Sequence, residues 1–203
     1  MMWRPYRIRF LDYQYRQAYL DLFWRALAGR SDLLLEVLDA TSGSSPSTQY
    51  ARSAFLDGLL AYEYADLHLG EEEAFLAEED GFCRGISNVY GCYEGGDADQ
   101  RISRYVSLCP PISALVYVNA APDLAFRRRK TRDTGYLSLW ARAGKTEESV
   151  LASYRRLLEV AELGNCLLRA RGTQIIELDT SSNDLRSTID ECVAKLRSVG
   201  FQL

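Results

Sequence analysis

Apolar residues recur at three- and four-residue steps through residues 13–38, Leu20, Phe23 and Leu27 among them, and that period predicts a helix. The stretch from Gly29 to Asp32 predicts a break dividing it in two. Residues 41–48 hold six Ser or Thr together with Gly43 and Pro46, a loop by composition. A further helix is expected over 51–67, with Phe55, Leu59, Leu60 and Tyr62 to Tyr64 available to a core. The register then changes. Residues 73–78 are short and apolar enough for a buried strand, followed by an acidic turn and Gly81, and 86–93 begins the next helix or loop ahead of a turn at 94–97.

The clearest strand is 113–119, β-branched and aromatic, bounded by prolines. Residues 124–132 read as a helix with Pro122 and Asp123 at its first turn, where both are favoured. A long helical period covers 146–170, and 174–179 is a second strand. Ser182 or Asn183 is expected to cap a last helix, which Gly200 ends. Strands alternating with helices predict an α/β fold with a parallel sheet. No repeat or long linker divides the chain, so residues 1–203 are expected to form one domain.

Composition narrows the function less than the pattern narrows the fold. The chain has 203 residues, 47% of them apolar and 26% charged, which is ordinary for a globular domain. A net charge of −4 gives no reason to expect nucleic acid as a partner. The longest uncharged stretch, 105–122, is broken by Pro110 and Pro111 and too short for a bilayer, so no membrane partner is expected. Residues 1–9 are basic without the apolar run of a signal peptide, and a cytoplasmic location is the expectation. Five cysteines without a CxxC pair suit free thiols in a reducing compartment. With one histidine, His68, and no ligand spacing, these cysteines do not read as a metal site.

Three segments carry candidate chemistry. Arg128 and Arg132 lie four residues apart on the helix after the 113–119 strand, a spacing that suits a phosphoryl clamp and equally a solvated basic face. Glu79 and Asp80, with Arg84 just beyond, follow the 73–78 strand. A carboxylate there can hold magnesium through water or orient a nucleophile, and can also be an acidic surface loop. Asp179, Thr180 and Ser181 end the last strand, where a ligand or an ordinary strand-to-helix junction would use the same residues.

In this order, Glu79-Asp80-Gly81-Phe82, then Arg128 and Arg132 after Pro122, then Asp179-Thr180-Ser181 before a C-terminal helix, the segments resemble the nucleotide-kinase group of P-loop proteins, thymidylate-kinase-like members among them. The resemblance implies a three-layer αβα fold with a mainly parallel sheet. It implies a helical substrate side at 13–70, a Walker-B-like strand and turn at 73–85 and a lid-like region at 122–145. It assigns magnesium, through water, to Glu79, catalysis to Glu79, Asp80 and Arg84, phosphate contacts to Arg128 and Arg132, and the nucleotide to Asp179, Thr180 and Ser181. ATP and magnesium are the implied cofactors and a small molecule the implied substrate.

One departure limits the resemblance. The family's Gly-x-x-x-x-Gly-Lys-Ser/Thr loop is absent: five residues before Gly144-Lys145-Thr146 stands Leu139, and that segment reads as a turn and helix start. The expectation is a kinase-like phosphotransferase, weak or inactive as the sequence stands, with the first strand and P-loop either upstream or lost. The alternatives are a degenerate homologue that binds a ligand or partner, and a sulfotransferase-like member. Without that strand the sheet has an unfilled place, which residues 6–11 could fill and which otherwise invites self-association.

Overall fold

A computed structural model of the chain describes residues 14–43, 46–68, 82–91, 93, 95–132, 146–181 and 184–200. Its contacts divide the chain into two compact units, residues 1–85 and 86–203. Mostly helical, with a small parallel sheet, the described residues form a mixed α/β protein.

The first unit is built on a helical hairpin of α1 (Gln14–Ala40) and α2 (Pro46–His68). Leu33, Leu34 and Val37 from α1 and Ala51, Phe55, Leu59 and Leu60 from α2 are buried together in its core. The break expected near Gly29 is a kink at Arg30, whose backbone leaves the helical region at φ −141°, ψ 32°. Glycine weakens the helix just before this point, and side chains then fix the bend. Arg30 Nε donates to Glu63 Oε1 at 3.1 Å, and its guanidinium lies over the Tyr62 ring, 5.0 Å from the centroid. Arg25 Nε donates to the other oxygen of the buried Glu63 at 2.9 Å, so that this carboxylate is paired on both sides. At the turn Arg52 Nη2 donates to the carbonyls of Thr41 and Gly43, which the end of α1 leaves without helical partners. The helix α3 (Phe82–Tyr90) begins in this unit, with Phe82 edge-on to Phe55 and Tyr62.

The second unit takes up the rest of α3 and continues through α4 (Ala98–Leu108), β1 (Ala114–Asn119), α5 (Pro122–Arg132), α6 (Glu147–Ala170), β2 (Gln174–Asp179) and α7 (Leu185–Ser198). Both strands expected here form, and they pair directly and in parallel, Val116 opposite Ile176 and Asn119 opposite Asp179. The segments 6–11 and 73–78, also expected to be extended, lie outside the described residues. On one face of β1, Val116 and Val118 are exposed.

Helix ends here follow local chemistry. Thr146 caps α6, its Oγ1 accepting from Ser149 N at 3.2 Å, whereas Gly144 and Lys145 lie outside the described residues. The cap of α7 is Asp184 rather than Ser182 or Asn183, its Oδ1 accepting from Ser187 N at 2.9 Å, and Gly200 follows the helix at φ +97°. The helix α4 falls where no helix was expected, although its buried Ile102, Tyr105 and Val106 keep a helical step. Arg171, just past α6, donates to the carbonyls of Val106 and Cys109 and so ties the end of α4 to the turn before β2. Gly164 of α6 lets that helix lie against Ile86: a Cβ there would stand 2.9 Å from Ile86 Cδ1.

Candidate functional site

The carboxyl ends of parallel strands are where open α/β sheets present loops to ligands, and four of the candidate residues meet there. Asn119 ends β1 and Asp179 ends β2, in register. Thr180 stitches the two ends: its backbone N–H and its hydroxyl both donate to the Asn119 carbonyl at 2.9 Å. Arg128, one and a half turns into α5, reaches the same residue, with Nη1 donating to Thr180 Oγ1 at 3.1 Å and Nη2 to the Thr180 carbonyl at 2.6 Å. Ser181 completes the corner. Its N–H donates to Asp179 Oδ1 at 2.8 Å, and its hydroxyl accepts from Ala121 N at 3.4 Å.

These bonds set the charge of the site. The Asp179 carboxyl is held below the usual aspartate range, first by the Ser181 hydroxyl, then by the Ser181 N–H, with the Arg128 guanidinium adding to both. It is exposed and ionised at neutral pH. Ahead of it, α5 starts at Pro122, and the N–H groups of Leu124 and Ala125 are both directed to the Ala121 carbonyl at 2.9 Å.

The basic run of α5 is largely engaged. Arg127 Nε donates to the Asp123 carbonyl at 3.4 Å, Arg128 holds Thr180, and Lys130 Nζ pairs with Glu147 Oε1 at 2.6 Å. Arg132 is the last residue of α5, and its side chain lies outside the described residues. So do Glu79 and Asp80, and with them the magnesium position assigned to Glu79. Arg84 is exposed on α3, in the first unit.

The sequence pattern placed Arg128 and the 179–181 turn in separate roles, phosphate and nucleotide. The structure joins them in one hydrogen-bonded corner, which Asn119 and Ala121, marked by no motif, complete. At this corner the Arg128 guanidinium, the Ala121 N–H and the Ser181 N–H each donate to a protein group, and the exposed Asp179 carboxylate lies beside them. No group of three His, Cys, Asp or Glu side chains among the described residues could hold a metal ion. A shallow depression beside β2, lined by Ile175, Glu177, Lys195 and Val199, is crossed by an Arg169–Glu177 ion pair at 2.7 Å. No helix among the described residues is long and apolar enough to cross a membrane.

Comparison of the chain with protein-family models, with curated proteins and with solved structures gives no match.

Proposed function

We propose that the chain is a kinase-like α/β protein that binds a small polar ligand at the carboxyl ends of β1 and β2 and transfers phosphate weakly or not at all. In this reading β1 and β2 belong to the mainly parallel sheet of a three-layer αβα fold, in keeping with their parallel pairing across a helical connection. The observation that carries it is the use of Arg128. A guanidinium that should close over phosphate instead donates twice to Thr180, and the adjacent exposed group is the Asp179 carboxylate. A site so arranged accepts hydrogen bonds from hydroxyl and amino groups, such as those of a nucleoside, and disfavours an anion.

Thermal unfolding with millimolar adenosine and with millimolar ATP and magnesium tests the proposal. A ligand at one hundred times its Kd stabilises a fold by about 2.7 kcal/mol, a shift of several degrees. The expected outcome is stabilisation by adenosine, its loss in Asp179→Asn, and no added effect of the triphosphate and metal. Magnesium-dependent stabilisation by ATP, or ADP formation in a coupled assay, overturns the non-transferring reading. No response to adenosine overturns the nucleoside site.

A further inference from the structure

Two side chains at the strand-end corner keep groups that the protein does not use. Asn119 and Asp179 are register partners in a parallel pair, so their side chains leave the sheet on the same face, about 4.8 Å apart at the backbone. The Asn119 backbone carbonyl takes both bonds from Thr180, and no hydrogen bond among the described residues engages its side-chain amide. The Asp179 carboxylate accepts only from Ser181, through the N–H and the hydroxyl. An ionised carboxylate has about four acceptor directions, so about two remain open. Asp179 is exposed and Asn119 half-buried, which leaves both within reach of a ligand.

The charges around this pair discriminate among ligands. Arg128 is near enough to Asp179 to favour its ionised form, and Asp123, at the start of α5, pairs with Arg155 at 3.7 Å. Each carboxylate thus has a cation beside it, and the corner is close to neutral. An ammonium ligand would meet Asp179 and Arg128 together and gain little. An anion gains as little, because the Arg128 donors are held by Thr180. A neutral polar ligand meets neither opposing charge. Among such ligands the pair is selective. A hydroxyl is donor and acceptor at once, whereas Asp179 offers only acceptors and Asn119 sets two N–H donors beside them. Two adjacent hydroxyls satisfy both side chains: they donate to the carboxylate, and one of their oxygens accepts from the amide. A lone amino group uses only part of this set.

We propose that Asp179 and Asn119 together bind a neutral vicinal diol, which in a nucleoside is the 2′,3′-diol of the ribose. The assignment rests on the nucleoside reading of the corner and adds that the sugar is what the strand ends hold. Asp179 accepts from the two hydroxyls, and Asn119 donates to the one nearer β1. The ligand is then a ribonucleoside and not a deoxyribonucleoside.

Titration calorimetry of the full chain with adenosine, 2′-deoxyadenosine, 3′-deoxyadenosine and free ribose tests the assignment. Adenosine is expected to bind, and each deoxy analogue to bind roughly tenfold more weakly, the loss of one hydrogen bond to a charged acceptor. Asn119→Ala should melt as the parent does without ligand, because the side chain makes no hydrogen bond among the described residues. Its affinity for adenosine should nevertheless fall severalfold. Free ribose separates the two sources of a diol. Binding weaker than that of adenosine assigns the diol to a nucleoside, equal binding assigns it to any such sugar, and both support the contact. If adenosine and both deoxy analogues bind alike, the diol contact is overturned while the nucleoside site stands. If none of the four binds, the nucleoside reading fails and the diol contact with it. Unchanged adenosine affinity in Asn119→Ala overturns the pairing of the two side chains.

Discussion

Replacing Arg128 by alanine separates its two possible uses. As a tie, its guanidinium makes two hydrogen bonds to Thr180, 3.1 Å to the hydroxyl and 2.6 Å to the carbonyl, across 52 residues of sequence. Hydrogen bonds to a charged group contribute about 1.5–3 kcal/mol in buried settings. Arg128 is only half-buried, and water can replace part of what is lost. The two bonds together should therefore contribute about 1.5–2.5 kcal/mol. For a domain of this size each kcal/mol moves the melting point by roughly 3–5 °C, so Arg128→Ala should melt about 5–10 °C lower. Urea unfolding followed by circular dichroism measures the same change as a shift in midpoint at constant slope. Arg128→Lys should recover only part of it, because an ammonium keeps the charge but lacks the planar fork. If Arg128→Ala unfolds within 0.5 kcal/mol of the parent while losing affinity for a phosphorylated ligand, the guanidinium is a free clamp and the argument from its bonding to Thr180 fails.

Two further substitutions or probes test the packing and the thiols. Gly164→Val sets a branched side chain whose Cβ would stand 2.9 Å from Ile86 Cδ1, closer than van der Waals contact, and should cost about 1–3 kcal/mol in urea unfolding, since a packed interface has to shift to admit it. An unchanged midpoint would show that α3 and α6 do not pack there as described. Burial pushes the Cys83 thiol up to about 12, and Cys109 is buried, whereas Cys166 is exposed. Brief alkylation at pH 8 followed by mass spectrometry should label Cys166 well ahead of Cys83 and Cys109. Equal labelling at Cys83 would contradict its burial.

The pattern of apolar positions carried the elements whose cores are made by near neighbours in sequence. The strand at 114–119, the helices at 122–132 and 147–170 and the break at Arg30 all sit where period and punctuation put them. Helix α4 is hard to read from the pattern because it is short and follows a glycine turn. The capping residue before α7 depended on which of several adjacent polar side chains turned inward, and Asp184 did. What the sequence could not reveal was partnership across distance. The four-residue spacing of Arg128 and Arg132 is all that one segment shows, and it suits a phosphate clamp and a solvated basic face equally. Thr180, the partner of Arg128, lies on another segment, in a turn that was read separately. Likewise the outer face of α1 is apolar in the sequence just as its inner face is, and only the position of α2 distinguishes them.

The charge of the strand-end corner leads to one more measurable consequence. Asp179 has a folded-state pKa below that of an unfolded aspartate, because Ser181 donates to its ionised form with both hydroxyl and backbone N–H. The resulting stability is present above the ordinary carboxylate range and is lost as pH falls through the lowered value. Between pH 5 and 9 the carboxylate therefore keeps its charge. Over that window the affinity of an uncharged hydrogen-bond donor such as adenosine should be flat, as read by titration calorimetry at constant ionic strength. A phosphorylated ligand at the same corner would meet the Asp179 carboxylate and the Arg128 guanidinium together, within the screening length of about 8 Å at physiological salt. Its binding should change little with salt, and Asp179→Asn should improve it. If a phosphorylated nucleoside instead binds more tightly than the free nucleoside and weakens with salt, a cation faces its phosphate, and the corner is a phosphate site after all.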